Sequence, residues 1–275
     1  MDQPVSSAHY SRQYFEESCG GAEFFRLYGP TVLKPAQAYS FKRAQVAPGM
    51  RVLDLGCGRG EILYQARQEG GRGVGTDFAA AAAKLAREIS GCPTLLCDAK
   101  ALPFSEGAFD LIFFVGVIDH LHDWELERCF SEMARVLKPG GAVLIHTCAN
   151  RHYYKTLSYG LRRALARLSR RLGLPIGEPA RPRSDEDRVL HVNEHTLGGL
   201  RSFLSDIGWD AEVEARPNYK LFLRELYGWP LPPGFPIKPA SRLKTAVYLN
   251  LLFLPGLRAF LAREFFALAR PRRTC

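Results

Sequence analysis

The sequence predicts an α/β fold, a mostly parallel sheet with helices on both faces. Three observations carry this expectation. Between residues 51 and 147, short apolar runs alternate with stretches of helical period. One run, residues 110–115 (Asp-Leu-Ile-Phe-Phe-Val), is apolar enough to be buried on both faces. The first run ends in a glycine-rich turn that opens a helix. With 275 residues, 47% of them hydrophobic, the chain can bury a full core as one domain.

Taken in order, residues 1–45 form an N-terminal cap with scattered aromatics and a helix over 35–45. Residues 46–150 form the regular core. Its strands are 52–55, 73–77, 94–97, 110–115 and 142–147. Its helices are 61–68, 79–89 and one carrying Leu126, Phe130, Met133 and Leu137 on a single face, stopped by Lys138-Pro139-Gly140-Gly141. Residues 151–190 are an Arg-rich insertion. The remainder, 191–275, completes the core with a helix over 192–207 ended by Gly208, a strand at 211–215, a hydrophobic helical insertion at about 218–262 and a last strand at 264–269.

The net charge of +9 favours anionic partners such as phosphorylated small molecules, lipid head groups or nucleic acid, although it also serves plain solubility. Seven cysteines, with neither C-x-x-C pairs nor His/Cys ligand spacing, speak for a reducing compartment without a disulfide framework or zinc site. The first residues lack a signal-peptide pattern, and the apolar stretch 246–262 is too short and broken to span a bilayer. The expected location is cytoplasmic.

The segment Val52-Leu53-Asp54-Leu55-Gly56-Cys57-Gly58-Arg59-Gly60-Glu61 carries the chemistry. Its G-x-G-x-G spacing differs from the G-x-G-x-x-G of a pyrophosphate-binding turn, which disfavours a nicotinamide oxidoreductase. Asp54, just before the glycines, suits a cationic ammonium group. Asp77 ends the second strand, where a carboxylate accepts from a ribose diol; as an alternative it caps the helix that follows. Asp98, followed by Ala99, stands after the third strand, placed to accept from an adenine amino group or to serve as a turn residue. Gly116 to Leu121 reach the same sheet edge.

The motifs VLDLGCGRGE, VGTD, CDA, FDLIFFVGVIDHL and RVLKPGGAVLIHT, in that order and at those intervals, resemble those of class I S-adenosylmethionine (SAM)-dependent methyltransferases. The branch is similar to the ubiquinone/menaquinone-type small-molecule enzymes, and more loosely to methyltransferases of bacterial envelope-glycan or secondary-metabolite pathways. The motif-bearing similarity covers residues 45–150. It implies a Rossmann-like seven-stranded sheet with an antiparallel last strand, SAM as cofactor, and cofactor contacts from Asp54, Gly56, Cys57, Gly58, Gly60, Asp77, Phe78, Asp98, Ala99, Val115 and Gly116. Asp119-His120 stands where many relatives carry Glu-His.

Methyl transfer from a sulfonium mainly needs alignment, and a hydroxyl or carbon acceptor also benefits from a base. His120, just past the fourth strand, is the candidate base; the alternative is that it orders its loop. His146 reads as a core residue. His191 and His195 line a substrate pocket or cap the next helix, and no metal is expected. The basic, amphipathic stretch 155–172 fits an anionic membrane surface, a cleft cover or solvent. The expected acceptor is a small molecule or a lipid- or glycan-linked one, with peripheral contact to the inner membrane face as an option. No nucleic acid is expected, since no binding motif is visible. A SAM-binding regulatory or scaffold protein without catalysis is the competing reading.

Overall fold

The computed structural model describes residues 3–148, 150–174, 177–179, 181, 185–217, 259–260 and 262–272. The expected loop at 228–240 and most of the hydrophobic helical stretch at about 218–262 lie outside the described residues.

Seven strands form one sheet in the order β3-β2-β1-β4-β5-β7-β6. They are β1 (Arg51–Leu55), β2 (Arg72–Asp77), β3 (Thr94–Leu96), β4 (Phe109–Val115), β5 (Leu137–Thr147), β6 (Trp209–Pro217) and β7 (Ala262–Pro271). The first five run parallel, and β7 is antiparallel to both β5 and β6. This is the sheet the motif order implied. The order reverses beside β1, so the carboxyl ends of β1, β2 and β4 open onto one crevice, the place where such sheets hold ligands.

Strand periodicity sorts the core into two faces. Val52, Leu111, Phe113 and Leu144 point to one side, where they meet Ile62 and Ala66 of α3 (Glu61–Gln68) and Phe41 of α2 (Pro35–Ala44). Leu53, Ile112, Phe114, Val143 and Ile145 point to the other. There they meet Leu126, Phe130 and Met133 of α5 (Asp123–Val136), and Leu200 and Leu204 of α9 (Leu197–Asp206). Helix α4 (Ala80–Ser90) lies beside α3 and packs on β2 and β3. Gly60 makes that pair of helices possible, because a Cβ there would sit 2.8 Å from the Ala86 backbone.

Some boundaries differ from the sequence reading. Helix α2 belongs to the sheet's covering layer and not to a cap: the Phe41 ring stacks on Phe113 with centroids 5.8 Å apart, and Tyr39 meets Phe266 edge-on. The cap proper is the earlier segment, including a π-helical turn Tyr14–Ser18 and α1 (Ala22–Tyr28). Lys138 to Gly141 do not merely stop a helix. They lie within β5, which begins at Leu137 opposite Phe109, with a register shift before Leu111. Helix α9 starts at Leu197, since Thr196 caps it by accepting the Gly199 N–H. The Arg-rich segment is helical in three pieces, α6 (Tyr154–Leu157), α7 (Tyr159–Arg171) and α8 (Asp185–Leu190).

Phe114 has no exposed surface and meets Phe130 of α5 edge-to-face at 6.0 Å. Phe114→Ala should destabilise the fold by about 3–5 kcal/mol through lost burial and a residual cavity. Urea unfolding should show a lower midpoint with an unchanged slope.

Candidate active site

The glycine turn after β1 is built from backbone hydrogen bonds that stay within the protein. The N–H groups of Gly56 and Cys57 both donate to the Thr76 carbonyl, at 2.8 and 3.0 Å. Gly58 N–H donates to Asp77 Oδ2 at 3.1 Å, and Gly60 N–H donates to the Cys57 carbonyl at 2.8 Å. A pyrophosphate site needs such donors free and aimed at the ligand; here four of them are already used. Gly56 and Gly58 have φ of +78° and +50°, a region that disfavours side chains. At Gly56 a Cβ would also fall 2.5 Å from Val117 Cγ2. Cys57 turns its side chain away from the crevice into the small core formed with Leu63, Ala86 and Cys92. Only its backbone faces the turn, and burial pushes its thiol well up.

Three carboxylates meet this edge in different states. Asp54 is buried, and its Oδ2 has no hydrogen-bond partner among the described residues. Burial, with Glu61 and Asp77 nearby, raises its carboxyl well above the ordinary range. Asp77 is also buried. Its Oδ1 accepts the Ala79 N–H at 2.9 Å while Oδ2 holds Gly58; Ala79 itself is the N-cap of α4 and no side chain caps that helix, so Asp77 turns the chain toward α4 and ties it to the glycine turn without serving as the cap. Burial raises Asp77 to about 6 even against these backbone donors. Asp98 is half exposed; it accepts the Lys100 N–H and pairs with Lys100 Nζ at 3.0 Å, which is the turn arrangement. Phe78 is exposed beside Asp77, and Ala99 packs partly buried against the core.

Beyond Val115, Gly116 donates its N–H to the His146 carbonyl at 2.9 Å and faces open space. A 3-10 turn over Ile118–His120 follows. His120 Nδ1 lies 2.9 Å from the Tyr10 hydroxyl. On its other side, His120 Nε2 is 3.9 Å from Asp119 Oδ2, and His191 Nε2 is 3.2 Å from that same oxygen. Thr147 Oγ1 donates to Asp119 Oδ1 at 3.2 Å. Burial alone would raise Asp119, but His120, His191 and His146 outweigh it and hold its carboxyl below the ordinary range. Burial, then Asp119, raises the Tyr10 phenol, which therefore stays neutral.

Several of these contacts were invisible in the sequence. Tyr10 comes from 110 residues upstream of His120. No metal-ligand spacing is visible along the chain, yet the fold gathers Asp119, His120 and His191 so that their ligating atoms lie within 4.8 Å of one another. His191 thus reaches the site, whereas His195 is buried beside Phe203 and bridges Asn150. Neither histidine caps α9; Thr196 does. His146 is buried with both ring nitrogens lacking hydrogen-bond partners among the described residues; Glu264 Oε2 is 3.4 Å away. Arg59 is a buried anchor. It donates to Glu61 Oε1 at 2.7 Å, to the Phe15 carbonyl at 2.7 Å and to the Gly20 carbonyl at 3.1 Å, tying the cap across the glycine turn.

Residues 52–141 match a family model described as a methyltransferase domain. Over 113 residues the chain is 39% identical to a probable tRNA methyltransferase 9B of Bos taurus, covering 39% of this chain and 24% of that protein. Over 118 residues it is 36% identical to a ubiquinone/menaquinone biosynthesis C-methyltransferase of Bordetella parapertussis, covering 40% and 45%. The chain thus spans less than half the length of these relatives. Among solved structures, a phosphoethanolamine N-methyltransferase 2 of Haemonchus contortus shares the fold with a TM-score of 0.58 at 19% identity, covering 97% of this chain and 60% of that one. A putative methyltransferase crystallised with the Haloferax volcanii Trm112 activator gives 0.57 at 17%, covering 95% and 97%. Residues 52–141 thus carry a methyltransferase domain, set in a seven-stranded sheet shared with SAM-dependent methyltransferases of solved structure. Because the relatives include a tRNA enzyme by name, the expected exclusion of nucleic acid is not supported.

The Arg59–Glu61 pair is nearly solvent-free, with side-chain exposures of 2% and 6%. Arg59→Ala should lower stability by about 3–5 kcal/mol, because it strands a buried carboxylate. The double variant Arg59→Met, Glu61→Leu should recover most of that loss. Denaturant titration of both proteins checks this, and equal losses in the two would contradict it.

Proposed function

We propose that this chain transfers the methyl group of SAM to a small-molecule or lipid-linked acceptor, with Tyr10, His120 and Asp119 managing the acceptor's proton. The carrying observation is the line from the Tyr10 hydroxyl through His120 to an ionised Asp119, placed beside the glycine turn at the carboxyl ends of β1, β2 and β4. SAM supplies an activated methyl group on a sulfonium, so the protein's task is binding, alignment and proton removal.

The residues present fit SAM. Asp54 offers a buried carboxylate oxygen without a partner, suited to the ammonium of the methionine moiety. Asp77 accepts two backbone N–H groups and retains lone pairs for the ribose hydroxyls. The turn's own donors are used internally, which suits a cofactor without phosphate. Asp98 and Ala99 stand toward the adenine end, with the exposed Phe78 as an apolar surface near them. Val115 and Gly116 border the space between cofactor and acceptor.

In the proposed proton path the acceptor gives its proton to Tyr10 as Tyr10 passes its own to His120 Nδ1. Asp119 stabilises the imidazolium that results, and Thr147 holds the carboxylate in place. His191 shares the same carboxylate oxygen and limits how far it can turn. Tyr10, Phe15 and Leu190 pack together over the start of α4 and keep water from this end of the crevice. A nucleic-acid acceptor is the second reading, favoured by the name of the bovine relative and the charge of +9. Labelled SAM offered with total transfer RNA, with a metabolite extract and with a lipid extract separates the two. No transfer to any of them, with SAM bound, would leave a non-catalytic SAM-binding protein.

Two further outcomes follow. Burial disfavours the Asp77 carboxylate and pushes its pKa up to about 6, above the ordinary carboxylate range. Ribose hydroxyls donate to the ionised form, so SAM affinity should hold above that pH and fall as pH drops through about 6. In Asp77→Asn, calorimetry should show binding weaker by about 1–3 kcal/mol, with the fall centred near pH 6 gone. A wild-type affinity constant from pH 5 to 7.5 would remove the ribose role.

His120→Ala should lower kcat by about 10²–10⁴-fold with SAM affinity unchanged. In Asp119→Asn the acidic limb of the pH–rate profile should move to lower pH, because the negative charge that favours imidazolium is gone. Full kcat in His120→Ala with a hydroxyl or carbon acceptor would take His120 out of the reaction.

A further inference from the structure

Helix α7 carries an apolar stripe that the rest of the described protein leaves uncovered. It meets the body through Ala166 and Ser169, which are buried, and the Ser169 hydroxyl closes its end by donating to the Leu174 carbonyl at 2.8 Å. Leu161, Leu165, Leu168 and Leu172 follow at spacings of four, three and four, and Leu157, the last residue of α6, precedes them. At about 100° per residue the four leucines fall on one line along α7. Their exposures run from 50% for Leu165 to 66% for Leu161. Scattered exposed leucines need no explanation, but a line of four along one helix does.

The charge around the stripe indicates what covers it. Residues 151–174 hold six arginines, one lysine and no carboxylate. Arg163, Arg167, Arg170 and Arg171 are exposed on the sides of α7 away from the leucines, and one of them, Arg170, pairs with Glu178 at 2.5 Å. RNA would engage the arginines and leave the leucines in water. An anionic bilayer uses both, because leucines enter the acyl boundary while arginines reach the head groups. The stripe also leads somewhere. Leu157, ahead of its start, lines a cavity of ≈ 320 Å³ together with Asn150, His152, Leu197, Ala259 and Phe260, a mostly apolar hollow at the end of β5 suited to a lipid chain.

We propose that α7 is a membrane-surface helix that lays its leucine stripe on an anionic lipid bilayer. This inference goes beyond the methyl-transfer reading and stands without it. No helix among the described residues is long and apolar enough to cross a membrane, so contact of this kind is interfacial.

The test is flotation of the full chain with vesicles of phosphatidylcholine plus phosphatidylglycerol, and of phosphatidylcholine alone. The protein should float with the anionic vesicles, stay behind with the neutral ones, and lose binding as salt rises. Leu165→Glu with Leu168→Glu should abolish flotation, while unchanged SAM affinity reports an intact core. Arg163→Glu with Arg167→Glu should weaken it by at least roughly fivefold per arginine. Equal binding to both vesicle types would overturn the proposal, as would anionic binding untouched by the leucine variant. Failure to float, with transfer RNA binding that only the arginine variant abolishes, would assign the surface to RNA. None of these outcomes depends on whether an acceptor is methylated.

Discussion

The end of β2 is the constraint on which the candidate site depends. Thr76 presents one carbonyl to two consecutive N–H groups of the glycine turn, and Asp77 presents one carboxylate to Gly58 and to the start of α4. These bonds fix the turn against its neighbouring strand, set the entry of the helix and close the backbone's own hydrogen-bond account. Burying a carboxylate to achieve this is unfavourable, and the rise of Asp77 to about 6 is the sign of it. The backbone donors offset part of that cost. What remains is a preference for further hydrogen-bond donors, which is the property a diol-binding carboxylate requires.

The same constraint explains why glycine recurs here. A turn held by Thr76 and Asp77 must reverse within a few residues and still let α3 approach α4 closely. Gly56 and Gly58 take the positive φ that the reversal needs, and Gly60 leaves room for the Ala86 backbone. The turn was therefore legible in the sequence, because its chemistry is local: apolar strand, acid, glycines and helix lie within ten residues. The strands were legible for a related reason. A doubly covered parallel sheet makes its strands apolar throughout, as in residues 110–115, and the alternation of strand with helix leaves little freedom of topology.

What the sequence did not display is whatever the fold assembles from distant segments. Nothing in the pattern around Tyr10 announces a contact with His120, and nothing near His191 announces Asp119, about 70 residues before it. Nothing in the local pattern marks Arg59 as an anchor, since arginine is seldom buried. Only the fold shows Glu61, Phe15 and Gly20 converging on its guanidinium. The helix α2 was assigned to a cap because its first neighbours in sequence are cap residues. Its place on the sheet depends on Phe113 and Phe266, which lie far along the chain.

These two kinds of legibility divide the site along its own chemistry. The segment shared with other methyltransferases, residues 52–141, contains Asp54, the glycines, Asp77 and Asp98, all of them groups that the proposed function assigns to SAM. It also contains Asp119 and His120. The groups that complete the proposed acceptor side, Tyr10 before the segment and Thr147 and His191 after it, lie outside. A cofactor that never changes can be held by a constant local motif. An acceptor that differs from one enzyme to the next has to be met by the parts of the chain that are free to vary, and these are the cap and the insertions. Tyr10 and His191 both bear on one residue pair at the end of the shared segment. In the proposed reading, Asp119-His120 is thus the joint at which a common cofactor pocket is fitted to a particular acceptor.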